Sequence, residues 1–157
     1  MRIVKWIVIV FVILFAVAQA IRPAMTNPVV DQSRTIEAHT QMTSEVSAIL
    51  SRSCGDCHTG ATRWPWYSQI SPVSWYLASD VDQGRRHLAL SDWASYDSKR
   101  ALNKLDEICE QVQQGEMPPS PYLLIHRDAR LSEPDKKLLC DWTSAERKRQ
   151  QQTMAAK

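Results

Sequence analysis

The run Cys54-Gly55-Asp56-Cys57-His58 constrains this chain more than any other feature. C-x-x-C-H is the attachment signature of a c-type haem, in which two thiols add across the vinyl groups and the adjoining imidazole ligates the iron. Two intervening residues set both sulfurs on one tight helical turn, and the next residue aims a ring nitrogen at the metal. With four cysteines and four histidines among 157 residues, coincidence explains this pentad poorly. Two other chemistries use such cysteines. A thioredoxin-like dithiol needs a strand feeding the motif in a βαβ pattern, and no such pattern is visible. A structural zinc site would recruit Cys109 or Cys140 as further ligands.

Both features at the N-terminus point to export. Arg2 and Lys5 flank the start of an apolar run from Trp6 to Ala18, which reads as a basic n-region and a hydrophobic core. Ala18 and Ala20 offer a cleavage site after Ala20, whereas counting from Ile3 to Ile21 nearly reaches the roughly 20 residues of a spanning helix. A cleaved signal peptide and a retained anchor are both consistent. Either places the domain outside the cytoplasm, as covalent haem attachment requires. Without Arg2 and Lys5 the chain carries 17 basic against 17 acidic residues, which leaves no basic footprint for nucleic acid.

The rest divides simply. Residues 1–21 form the signal anchor or signal peptide, 22–34 a linker marked by Pro23, Asn27 and Pro28, 35–145 the haem-binding domain, and 146–157 a polar, fraying tail. Ile36, Met42, Val46, Ile49 and Leu50 recur near helical spacing from Thr35 to Ser53. Arg63-Trp64-Pro65-Trp66-Tyr67 cannot be regular helix. A helix opening at Ser71-Pro72 carries Trp75, Tyr76, Ala78 and Val81 and ends near Gly84. The next spans Asp97 to Gln114 and stops at Gly115, and three prolines make residues 116–121 extended loop. Ser132-Glu133-Pro134-Asp135 caps a last helix that buries Leu138, Leu139, Trp142 and Ala145. No alternating strand pattern is convincing. The expected fold is all-α: a cytochrome c-like helical domain wrapped around one covalent haem, preceded by an N-terminal hydrophobic helix.

A six-coordinate iron needs a second axial ligand, and the candidates are Met117, Met42, His39, His87 and His126. Met117 leads, because a methionine before Pro118-Pro119 cannot sit in a helix interior and is poor core filler. His/Met ligation is also the usual cytochrome c arrangement. His126 is the alternative axial residue, and a bis-His site would lower the potential. Trp64, Trp66 and Tyr67, with Trp75 and Trp93, supply an aromatic wall expected to pack on the porphyrin, and Arg63, Arg85 and Arg86 are candidate propionate partners. Cys109 and Cys140 remain as an exported even pair and suggest a disulfide worth about 3 kcal/mol in loop entropy; two buried free thiols are the alternative.

The chain resembles the haem-binding domain family of bacterial exported monohaem c-type cytochromes. The resemblance rests on Cys54-x-x-Cys57-His58, the block Thr62-Arg63-Trp64-Pro65-Trp66-Tyr67-Ser68, Ser71-Pro72-Val73-Ser74-Trp75, Asp80-Val81 and Gly84-Arg85. It continues through Met117-Pro118, Tyr122, His126, Ala129-x-Leu131-Ser132 and Trp142, covering roughly residues 19 to 143. The chain departs from the family at Ala89-Leu90-Ser91, where Asn-Phe-Ser would precede Trp93. The resemblance implies one covalent haem c, held on the periplasmic side of the bacterial inner membrane by a single-pass anchor, or released there as a soluble domain. The leading expectation is single-electron transfer to another exported or membrane redox protein, with no catalytic residue of its own. The alternatives are a haem-based sensor or peroxidase-like enzyme with an open or labile sixth position, and a haem-handling module.

Overall fold

The computed structural model describes residues 1–156, and they are all-helical, with no strand among them. Eight α-helices follow in order: α1 Arg2–Ala18, α2 Ile36–His39, α3 Ser44–Ser53, α4 Gly55–His58, α5 Val73–His87, α6 Ser98–Gln114, α7 Ser120–Ile125 and α8 Glu133–Ala155. Short 3₁₀ turns at Gln32–Arg34, Trp66–Gln69, Leu90–Ser95 and Arg127–Ala129 join them.

α6 and α8 are the frame. Ala101, Leu105, Ile108 and Val112 recur at intervals of three and four, so one stripe of α6 is buried along its length. The Asp97 carboxylate accepts from the Arg100 N–H at 2.8 Å to open α6, and Gly115 closes it at φ 75°, a left-handed conformation that glycine adopts without a Cβ clash. α8 opens with the reciprocal cap of Ser132 and Asp135. Leu139 and Trp142 of α8 enter a single core with Leu105 of α6, Val46, Ile49 and Leu50 of α3, and Ile36, Leu90, Trp93 and Leu131. Each such fully buried apolar side chain contributes about 1.5–3 kcal/mol. Cys109 on α6 and Cys140 on α8 are joined by a disulfide, their Cα atoms 4.8 Å apart.

Several boundaries differ from the sequence expectation, each for a tertiary reason. The helix expected from Thr35 to Ser53 is broken at residues 40–43. There the Gln41 carbonyl accepts from the Trp142 indole N–H at 2.9 Å, and the Gln41 N–H donates to Glu146. Thr43 then caps α3 anew. α5 runs past Gly84 to His87. α7 starts at Ser120, inside the segment expected to be extended. The tail does not fray at residue 146: α8 continues to Ala155, because Glu146 is only 2 % exposed and is bonded by Arg149, Gln150 and the Gln41 N–H.

α1 stands apart. It buries none of its side chains, and at 1.5 Å per residue it extends about 25 Å, against about 30 Å for a hydrocarbon core. Among the described residues no helix is long and apolar enough to cross a membrane. The helix stops at Ala18 rather than continuing to Ile21, and Gln19 exchanges two hydrogen bonds with the Ser71 backbone, at 3.1 and 3.0 Å.

Candidate functional site

The Cys54–His58 turn forms because α3 and α4 meet at one residue. Cys54 ends α3 with its N–H on the Leu50 carbonyl at 2.9 Å, and its own carbonyl accepts from Cys57 at 3.2 Å and His58 at 2.9 Å. That geometry puts residues 54, 57 and 58 on one side of a single turn. Cys54 and Cys57 are not bonded to each other.

α5 lies directly on this turn. A Cβ on Gly84 would come within 2.7 Å of the Cys57 carbonyl oxygen, so only glycine permits the approach. The consequence is a fixed imidazole. His58 is 9 % exposed, and its Nδ1–H donates to the Gly84 carbonyl at 2.9 Å and the Leu88 carbonyl at 3.1 Å. Donation from Nδ1 sets the tautomer and leaves the Nε2 lone pair free for a metal. Burial holds the His58 pKa below the usual histidine range against the opposing pull of the two carbonyls, so the ring is in the neutral, ligating form.

Cys54, Cys57 and His58 all line one cavity of about 560 Å³. Ile108 and Val112 of α6, Met117, Pro118 and Pro119 of the α6–α7 connection and Tyr122 of α7 also line it, with the ionisable Asp80, Lys104 and Glu107 among the remaining wall residues. The volume lies within the 300–1,000 Å³ range of small-molecule and cofactor sites. Burial pushes the Cys54 thiol up to about 12, and burial with the charges of Asp80 and Asp56 pushes Cys57 up to about 11. Both are therefore neutral thiols near pH 7, unlike the low-pKa thiolate of a thioredoxin-like couple. Among the described residues no three His, Cys, Asp or Glu side chains group as a metal-ion site, and Cys109 and Cys140 bond each other. Paired thiols, an oriented imidazole and a largely apolar cavity fit a haem.

The axial candidates separate by position. Met117 lines the cavity, is 38 % exposed, and is turned back over α6 by its N–H on the Gln111 carbonyl at 3.2 Å. His87 also lines the cavity, from the helix that buttresses His58. His126 does not line it; its Nε2 meets the Tyr67 hydroxyl at 2.7 Å. Met42 packs partly buried against the core, and His39 Nε2 meets the Ser33 carbonyl at 3.1 Å.

Trp64, Trp66 and Tyr67 of the aromatic block are absent from the wall of this cavity. Pro65 starts a 3₁₀ turn whose buried member is Ser68, and this leaves Trp66 77 % exposed. Trp93 belongs to the core. The arginines are engaged too. Arg63 pairs with Asp56, Arg86 with Asp82, and Arg85 donates to the Thr59 and Thr26 carbonyls, Asn27 Oδ1 and Thr62 Oγ1. Arg85 thereby ties the expected linker to the attachment loop.

Sequence reasoning missed Asp56, Gly84 and Leu88. Asp56 stands between the two cysteines, and burial raises its pKa less than hydrogen bonds from Arg63 and Tyr122 lower it. The visible signal was a carboxylate inside the motif and an arginine seven residues on. Leu88 acts through its backbone, which no side-chain pattern reports.

No curated protein and no solved structure matches this chain. The family described as haem-binding domain matches residues 13–145, most of the sequence and all of the cavity. By that match the chain belongs to the haem-binding domain family.

Proposed function

We propose that the protein is a monohaem c-type cytochrome that carries single electrons between other exported redox proteins at the periplasmic face of the inner membrane. The observation that carries this reading is the double donation from His58 Nδ1 to Gly84 and Leu88, inside a cavity shared by both free cysteines and Met117. When bound, haem supplies the ferric/ferrous couple. Cys54 and Cys57 would hold it by thioethers, and His58 and Met117 would occupy the two axial positions. His58 is oriented before the metal arrives, so little rearrangement accompanies a change of charge on the iron. Ile108, Val112 and the prolines would shield the group from water and so favour the ferrous state, while Asp80 and Glu107 on the same wall would favour the ferric one. With both positions closed the protein binds no substrate at iron, and its partner is another redox chain.

The apolar side chains of α1 are exposed and have no partner within the domain, which supports a membrane role for that segment as retained anchor or export signal.

Covalent attachment is tested by acidified-acetone extraction of the protein expressed with haem-maturation machinery. Haem should stay with the wild-type chain and be extracted from the Cys54→Ala, Cys57→Ala double variant. Extraction from the wild type would overturn the c-type reading.

A further inference from the structure

Beyond Pro118, which is buried, the segment that carries Met117 is little held by its own packing. Two of its residues, Pro118 and Pro119, have no backbone donor, and α7, which follows at once, buries none of its six residues. Leu124 and Ile125 point to solvent. Apolar burial therefore does not fix α7 against the domain.

A polar chain does. The Tyr122 hydroxyl, on α7, donates to Asp56 Oδ2 at 2.8 Å. Asp56 is itself clamped, its Oδ1 accepting from the Arg63 backbone N–H and Nε, both at 3.1 Å, and its Oδ2 from Arg63 Nη2 at 3.1 Å. On its other side the Tyr122 ring stacks on His126 with centroids 4.2 Å apart and planes 14° from parallel, and His126 meets the Tyr67 hydroxyl. One end of this chain is the turn between the attachment cysteines. The other is the aromatic loop at residue 67. Asp56, Tyr122 and Met117 all line the same cavity.

We propose that Asp56 and Tyr122 form a clip that holds the Met117 loop over the attachment turn, with His126 and Tyr67 as its outer brace. Asp56 and Tyr122 are then positioning residues for the distal ligand, and the role rests on the reading of Met117 as that ligand. A carboxylate acceptor suits the task because a charge-assisted hydrogen bond is stronger than a neutral one. His126 acts here by stacking, away from the cavity.

Tyr122→Phe tests the clip, since it keeps the stacked ring and deletes only the hydroxyl. In the haem-loaded full chain we would measure the far-red methionine-to-iron band, carbon monoxide binding to the ferrous state, and backbone hydrogen exchange over residues 116–125. The clip predicts a weakened band, carbon monoxide binding that the wild type does not show, and exchange in that segment about tenfold faster. Asp56→Asn, which keeps an acceptor but loses its charge, should fall between Tyr122→Phe and wild type. Tyr67→Phe should change the same readouts less. If Met117→Ala opens the iron while Tyr122→Phe matches wild type in all three, the clip is wrong and the ligand stands. If the wild type itself lacks the band and binds carbon monoxide, the ligand reading falls and the clip's role in ligation with it. Faster exchange in Tyr122→Phe would then support only the clip's hold on the segment, and unchanged exchange would overturn that as well.

Discussion

The two sides of the cavity are built on opposite terms. On the attachment side His58 is buried, α5 lies close enough to exclude any Cβ at Gly84, and two backbone carbonyls fix the imidazole. On the other side Met117 is partly exposed on a loop whose Pro118 is buried, and no residue of the following helix is fully buried. One ligand is set by packing that the whole fold would have to give up, the other by a few polar contacts on a strap. Substitutions on the first side should therefore cost stability and coordination together, whereas those on the second should change coordination at little cost to the fold.

The largest expected effect lies in the frame of α6 and α8 that both sides stand on. The disulfide Cys109–Cys140 ties α6, which launches the Met117 loop, to α8, and it closes a loop of sequence separation 31. Replacing both cysteines with alanine should cost about 3 kcal/mol in denaturant unfolding. If the spectrum nevertheless stays low-spin in native conditions, the stability of the α6–α8 frame and ligation by the strap are separable.

Gly84→Ala sharpens the contrast on the attachment side. Its methyl would meet the Cys57 carbonyl at 2.7 Å and other atoms of Cys57 at 3.1 Å, and backbone cannot step aside cheaply. The expected loss is about 1–3 kcal/mol, seen as a lower Tm together with a perturbed spectrum. A variant with wild-type Tm and wild-type bands would show that α5 is not the rigid support described.

Part of the acid limb of stability should come from α8, remote from either ligand. Burial raises the Glu146 pKa, but hydrogen bonds from Arg149, Gln150 and the Gln41 N–H lower it more, and the net value is below the usual carboxylate range. A depressed folded pKa contributes stability that is fully present above the unfolded value of about 4.3 and is lost as pH falls through the folded one. Glu146→Gln should cost about 1.5–3 kcal/mol at pH 7 and flatten the fall in Tm below that value. A Tm profile as steep as wild type would locate the acid-sensitive group elsewhere.

The smallest effect belongs to the aromatic block. Trp66→Ser alters a side chain that is mostly in solvent and off the cavity wall, so stability should move by less than about 0.5 kcal/mol and the haem bands not at all. A shifted spectrum would return Trp66 to the porphyrin.

Much of this arrangement can be read from local chemistry. The attachment turn, the Asp97 and Ser132 caps, the Gly115 stop and the buried stripe of α6 are short-range signals, decided within one or two helical turns. What escaped depends on residues far apart in sequence. Gln41 breaks a helically spaced segment because Trp142 and Glu146 claim its backbone groups. Glu146 reads as a polar tail residue yet is buried with its partners. Gly84 has the composition of a helix stop, but the fold uses its missing side chain for a backbone contact and continues the helix to His87. The Trp64–Tyr67 block carries no periodicity that says which way each ring faces. Asp56 and Tyr122, 66 positions apart, meet only after folding.

The most direct measurement is an optical spectrum of the haem-matured protein, oxidised and reduced, with and without carbon monoxide. The account predicts sharp low-spin reduced bands, a far-red ferric band that Met117→Ala abolishes, and no response to carbon monoxide in the wild type. A wild-type protein that binds carbon monoxide readily, or keeps the same low-spin spectrum after Met117→Ala, would contradict it.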